Sequence, residues 1–555
     1  MNLLFVVLLI SISFSQTSNY FPFDWGGQFG YLNNKGKIFW NQDWRSNKLL
    51  FDGTWAIYPK TYGKKIEDGF KYIQSELHNN NLKTLPESYF LYKQGDYNLD
   101  KFLFGLEYGN ENRLIKLNGF KRTFSGNVGQ YYNNTFQPNQ QSYLVSYESI
   151  NNDEYTAITI GHFNTFTGLV LLDEKGIIDN KITTGNLTWE QKYNNFTMKF
   201  NMDNFLQRYD ARHPFSLFKG PRFMTRKQFQ SKISYYLNDH YHFSFGQGSN
   251  KRNIQLNFKD LIVDWNNLYL SFNSKLIRSK FEIVTEEKKY YYSYKFIIQR
   301  ELGSFNLNMN HSSEYRPIHP YYILGNVMNS NYDMLKNNKN NNLELNFIGK
   351  SNLFSIILSH MKDDENFWKA AFLHPNNNEQ TYSSQNQKHQ YYFLKINCQI
   401  KILYDIKLHL SYIQQNPNNI FSGNRHKEGN FRLEKNISLF KNFLDMRFNG
   451  MLNVVSPGDR DFDSNINLIE MVPIYNYNMN SPFYQNVVNN DNFAIFNANI
   501  EASVSSFKIN YEWKNLNHII ANALGYKDNN NILVHYQTPY LGSNMSLTIE
   551  WYFQD

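Results

Sequence analysis

A chain of 555 residues, with a formal charge of +8, mean hydropathy of −0.59 and one cysteine, excludes several classes at once. The basic residues form no block, unlike a nucleic-acid binder; no window after the N-terminus approaches about 18 uncharged apolar residues, unlike a helical membrane protein; and a lone cysteine, Cys398, allows no internal disulfide. Aromatics still reach 17%, with 41 Tyr and 46 Phe, a combination that suits a membrane barrel, where only alternate strand residues meet lipid.

In chain order, residues 1–15 read as a cleaved signal peptide, with an apolar core from Leu3 to Ile10 and small residues at Ser13 and Ser15. No cysteine follows that core, so lipid attachment is not expected. Residues 16–88 form a less regular N-terminal segment, rich in Trp and Gly between Phe21 and Trp55, with a short helical pattern from Gly69 to Asn79. It is expected either to enter the lumen or to supply the first strands. Residues 89–555 then read as one all-β domain, a large antiparallel transmembrane barrel.

Period-two runs recur throughout that domain: Phe102 to Leu106, Tyr143 to Tyr147, Ile254 to Phe258, Leu268 to Phe272, Leu343 to Phe347 and Phe354 to Leu358. Longer ones run from Tyr392 to Ile400, placing Cys398 on the lipid face, and from Ile402 to Tyr412. Leu444 to Val454 follows, then a hairpin of Ala494 to Ala502 with Phe507 to Trp513. The last run is the cleanest: Leu547, Ile549, Trp551 and Phe553 alternate with Ser546, Thr548, Glu550 and Tyr552, as a barrel-closing strand requires. Polar stretches from Met328 to Asn342, Pro375 to Lys388 and Asp459 to Asp491 read as outside loops. An even strand number near 22 accommodates these runs.

Alternation also suits a soluble sandwich. Runs of spanning length, about 9–11 residues, and aromatics near strand ends favour the barrel. So do charges in the middle of the polar faces. Those charges are the candidate lumen lining: Lys395, Asp405, Lys407, Arg447, Lys508 and Glu512.

The segment from Phe507 to Phe553 resembles the last strand pairs of TonB-dependent receptor barrels and of related bacterial porin-like barrels without a plug. The shared features are Trp513-Lys514-Asn515-Leu516, the Pro539-Tyr540 turn and a final strand ending in Trp551-x-Phe553, although Gln554 and Asp555 follow the terminal aromatic. Tyr89 to Phe102, Gly119 to Tyr132 and Gln141 to Ser149 resemble the opening strands of such barrels. The resemblance implies a Gram-negative outer membrane, insertion by the barrel assembly machinery, contact with outer-membrane lipid and lipopolysaccharide, and uptake of a small solute. Because Gln16 to Glu87 matches neither a plug nor an energy-coupling box, a passive or substrate-preferring channel is the leading expectation. A TonB-receptor-like barrel without a plug, a secreted glycan-binding β protein and an outer-membrane hydrolase are the alternatives.

One motif suggests a metal. Asp459, Asp461 and Asp463 with Glu470 follow the spacing of a calcium loop, but Ser464 replaces the glycine of its sharp turn, and an acidic surface loop has the same composition. No other cofactor is expected. His311 beside Ser312 and Ser313, and His360 beside Ser359, carry no hydrolase signature, so no enzyme is expected. Gly246-x-Gly248 reads as a turn.

Overall fold

The computed structural model describes residues 21–22, 31–32, 38–39, 87–123, 139–171, 174–213, 220–238, 240–256, 259–317, 335–348, 353–372, 380–402, 405–415, 425–457, 464–467, 472–476, 493–524 and 542–554. Twenty-two antiparallel strands close into one barrel. The first, Glu87–Gly95, pairs with the last, Asn544–Gln554, in a register running from Ser546↔Gly95 to Gln554↔Glu87. Two short strands, Ser464–Asn467 and Val472–Asn476, form a side hairpin, so that Leu444–Pro457 pairs directly with Phe493–Val504. Three two-residue strands, Phe21–Pro22, Tyr31–Leu32 and Ile38–Phe39, make a separate small sheet.

The alternating sequence explains why these residues form such a wall. In a strand successive side chains take opposite faces, and curvature crowds the inner face while opening the outer one. In the closing strand Leu547 and Trp551 are 40% and 46% exposed, whereas Ser546 is 2% exposed. The same inversion holds elsewhere: Leu106, Ile160 and Leu270 are exposed, while Asn118, Ser142 and Asn250 are buried. In water so much exposed apolar surface would be an aggregation liability; facing lipid, it is the barrel's solvent-compatible coat.

Two ends can be told apart. Turns 110–112, 152–153, 194–195, 274–276, 303–304, 440–443 and 505–506 lie at one end, which also carries Glu87 and Gln554. The longer connections 124–138, 318–334 and 458–492 lie at the other. Short turns mark the periplasmic side of outer-membrane barrels. Aromatics collect just above them: Phe196 with Tyr235, Phe243 with Phe272 and Phe305 with Phe347 at 4.9, 5.0 and 4.7 Å between ring centroids, and Phe90 with Trp551 at 5.9 Å. That is one interfacial girdle.

Asparagine has a structural task in the tight turns. Asn98, Asn152, Asn194, Asn442 and Asn515 all take left-handed backbone conformations, which this side chain tolerates better than most. Asn110 and Asn238 act differently: their side-chain oxygens accept the backbone N–H groups two and three residues on.

Four expectations are corrected. The run Ile402 to Tyr412 is not one strand, because the chain reverses between Lys401 and Lys407, with Asp405 at φ 60°. Strands Leu335–Ile348 and Gln380–Lys401 take up much of what reads as the loops Met328–Asn342 and Pro375–Lys388. The stretch Asp459 to Asp491 contains the side hairpin. Gly246 and Gly248 lie within the strand Tyr241–Leu256, not in a turn, and the Tyr269 ring lies across Gly246 where a Cβ would collide with it. The signal peptide, the Trp/Gly-rich stretch from Trp25 on, the Gly69–Asn79 pattern and Pro539-Tyr540 fall outside the described residues or at most on the small sheet.

The two faces should respond oppositely to charge. Ile549→Lys, on the outer face near the middle of the closing strand, is expected to cost about 2–4 kcal/mol. Asn510→Lys, on the inner face of the neighbouring strand Phe507–Lys514, should cost under about 1 kcal/mol, as measured by urea unfolding of the barrel refolded into vesicles. Equal costs would contradict the assignment of faces.

Candidate functional site: the charged lumenal wall

The inner face carries the chemistry. Cross-strand register places Lys395, Lys407, Arg447, Lys508 and Glu512 on it, with Asn397, Ser411, Asn449, Asn499 and Asn510 between them. Asp405 is the exception. It sits in the turn that follows the strand Gln380–Lys401, 74% exposed, its carboxyl held below the ordinary range by a hydrogen bond from Lys401 at 2.5 Å. A turn there needs a residue that accepts a positive φ, and aspartate does so.

Around Glu434 the wall becomes a network. This carboxylate, 10% exposed, lies 2.9 Å from Arg432, 3.8 Å from Lys407, 3.8 Å from Arg447 and 4.0 Å from His409. Arg447 in turn reaches Glu501 at 3.9 Å, and Arg432 donates to Asn449. Four adjacent strands, Lys407–Gln415, Arg425–Leu439, Leu444–Pro457 and Phe493–Val504, each supply members. A carboxylate flanked by the three cations Arg432, Lys407 and Arg447 fixes their positions and leaves the group with more positive than negative charge.

A second group sits at the closing seam. Lys93 donates to Glu512 at 2.7 Å across 419 residues of sequence, and Lys514 approaches the same carboxylate at 3.8 Å. Lys508 lies over the Tyr552 ring at 5.6 Å, and Tyr552 donates to Glu550 at 2.7 Å. These contacts tie first, penultimate and last strands together through the lumen.

Toward the long-loop end three buried arginines face inward from Pro221–Asn238 and Tyr241–Leu256. Arg222 covers Tyr209 at 5.3 Å, Arg226 covers Phe205 at 5.7 Å and Arg252 covers Trp265 at 4.8 Å. Desolvated cation–π contacts of this kind contribute about 2 kcal/mol each. At 0% exposure for Arg222 and 2% for Arg252, they brace the wall rather than offer themselves to a solute.

Arg432, Glu434, His409, Lys93 and the three arginines do not stand out in the sequence. Arg432, Glu434 and His409 share a strand face with Asn430, Asn436 and Ser411, a local trace that leaves their partners open, since partnership across strands needs register. Asp459, Asp461, Asp463 and Glu470 lie outside the described residues, and among the described residues no group of three or more acidic, His or Cys side chains is placed to hold a metal. His311 and His360 do not meet a catalytic partner but lie on the outer face.

Replacing Glu434 by Gln should leave its basic neighbours without their shared counter-charge. The expected result is a loss of about 1–3 kcal/mol in unfolding free energy, and a reversal potential shifted toward anions in whatever conductance the reconstituted barrel shows. An unchanged ion preference would remove this ring from the solute's path.

No family model matches this sequence, and no curated protein matches it. Solved structures do. The siderophore receptor PirA from Pseudomonas aeruginosa aligns over 85% of this chain and 81% of its own, at 10% identity and a TM-score of 0.58. The FrpB iron transporter from Neisseria meningitidis covers 85% and 83%, at 9% identity and 0.61. The copper transporter OprC covers 84% and 80%, at 9% identity and 0.62. The fold is thus that of a TonB-receptor-like barrel.

Proposed function

We propose that this chain is an outer-membrane receptor barrel that takes up a small anionic metal chelate. Closure at 22 strands is the observation that supports this reading most directly. Porins of about 16–18 strands already leave an aqueous channel, and at 22 strands outer-membrane transporters have a lumen that their wall residues cannot fill. Passage through such a barrel is governed by whatever occupies the lumen as well as by the wall.

The wall favours anions. Glu434 is outnumbered by Arg432, Lys407 and Arg447, and Lys93, Lys508 and Lys514 face inward at the seam. The similar structures are those of a siderophore receptor, an iron transporter and a copper transporter. A chelate with carboxylate or catecholate groups offers the negative charge that such a wall attracts.

The polar wall also fits a passive channel, and planar-bilayer recording separates the two. The receptor reading expects little steady conductance from the purified full chain, together with faster metal accumulation in metal-starved cells that express it. A large, steady, ohmic conductance with no effect on metal accumulation would overturn it in favour of the passive channel.

A further inference from the structure

Across the lumen from Glu434, the inner wall gathers a second set of cations. Counted from Glu87–Gly95, the strands Tyr241–Leu256 and Arg425–Leu439 are the ninth and eighteenth of the 22, so the two sets stand on opposite walls. Here two lysine pairs lie directly opposite one another in the ladder, Lys199 with Lys232 and Lys280 with Lys295. Like charges in that position repel and destabilise the pairing. Glu190 offsets the first pair through Lys199 at 3.5 Å, and Glu282 offsets the second through Lys280 at 2.9 Å. Four cations against two carboxylates leave Lys232 and Lys295 in excess.

Lys232 stands beside a gap in the wall. Opposite it on the next strand is Gly246, which has no side chain, and opposite Gly246 is Tyr269. The Tyr269 ring lies across that gap, occupying the place a Cβ on Gly246 would take. Its hydroxyl end therefore points along the wall toward Lys232. Lys280 sits over the same ring, 4.5 Å from its centroid, which draws the ammonium back from its own strand toward the gap. Lys199 and Lys280 both come close enough to Lys232 to repel its charge, and Glu190 offsets only part of this. Among the described residues Lys232 has no carboxylate within ion-pair distance, although every inward neighbour on its own and the two adjoining strands is described.

Depth and exposure separate this group from the rest of the wall. Lys232 lies six residues above Asn238 at the periplasmic turn, and Lys280 four above Leu276. These are about 13–20 Å along a strand and about 10–15 Å along the membrane normal at the usual tilt. The group thus belongs to the periplasmic half of the lumen, below Arg222, Arg226 and Arg252. Those arginines are buried, whereas Lys232 and Lys280 remain half-exposed.

We infer that Lys232 and Lys280, with Tyr269 as the floor between them, bind a multivalent oxyanion group, phosphoryl or carboxylate, in the periplasmic half of the lumen. An ammonium is a compact point charge with three rotatable donors, so two of them can converge on one anionic group from different strands. The anion removes the repulsion among Lys199, Lys232 and Lys280 and gains charge-assisted hydrogen bonds. The site is separate from the Glu434 network and does not depend on the solute being a metal chelate.

The test uses the purified full chain in detergent at low salt, with heat-modifiable gel mobility confirming that each variant is a folded barrel. Acetic anhydride labelling read by peptide mass spectrometry should show Lys232 protected by inorganic pyrophosphate or by citrate, the more protective of the two naming the group. Trehalose, and sodium chloride at equal ionic strength, should give no protection. In titration calorimetry Lys232→Gln with Lys280→Gln should weaken binding of the protecting anion at least about tenfold, as the loss of two charge-assisted hydrogen bonds implies. Lys232→Arg with Lys280→Arg should keep it, and Lys251→Gln on the outer face should leave it unchanged. Equal protection by chloride would overturn the assignment, since only screening by salt would remain. So would protection that falls on Lys407 and leaves Lys232 labelled, or a Lys232 that resists labelling without any anion. A barrel that protects Lys232 but does not speed metal accumulation in cells counts against chelate uptake alone; one that speeds accumulation without protecting Lys232 counts against this site alone.

Discussion

A strand in hydrocarbon has no water to satisfy its N–H and C=O groups, so a membrane sheet must have no free edge. Everything else in this molecule follows from that requirement. Closure of Glu87–Gly95 against Asn544–Gln554 creates an inner and an outer face, and the period-two sequence distributes side chains between them. Charge goes inward, where Glu434 and Glu512 each gather basic partners; aliphatic and aromatic groups go outward. Individually such partly exposed ion pairs contribute little, about 0–1 kcal/mol. Their value lies in arranging a field along the wall.

Much of this is legible in the sequence. The closing strand, the hairpin of Phe493–Val504 with Phe507–Lys514, the outward Cys398 and a strand number near 22 all rest on one periodicity. The same periodicity misled at Ile402. Ile400 and Ile402 have the same parity as Leu408, so the pattern passes unbroken through a reversal that only the left-handed backbone at Asp405 reveals. The upper halves of Leu353–Phe372 and Gln380–Lys401 escaped for another reason. A stretch such as Asp363-Asp364-Glu365 carries no alternation to read. The helix Leu516–Ala523, which approaches the end of Phe493–Val504 through Asn517, was not legible either.

The functional wall was visible residue by residue but not as an arrangement. Lys407 and Arg447 stand out as charges in apolar company; that both approach Glu434 depends on two cross-strand registers, which the chain's local pattern does not encode. The abundance of asparagine is similar. It looks like compositional bias, yet at positions 98, 152, 194, 442 and 515 it supplies the left-handed turn residues that hold those registers. Aromatic wealth divides likewise between the girdle and lumenal packing, as Tyr89 and Tyr269 show by lying across the cross-strand glycines Gly105 and Gly246.

The seam between first and last strands has one more consequence. Nearly every other strand pair is joined by a nearby connection, whereas Tyr97 to Ser543 and Asp96 to Met545 span 446 and 449 residues. Bringing such distant points together costs about 5 kcal/mol in chain entropy, by the logarithmic dependence on loop length. The short ladder there, with Lys93–Glu512 and the Phe90–Trp551 contact beside it, has to outweigh that cost unaided. The cylinder therefore has a zip fastener: the last line to form when the sheet curls into the membrane, and the first along which it would unroll into a sheet with two bare edges.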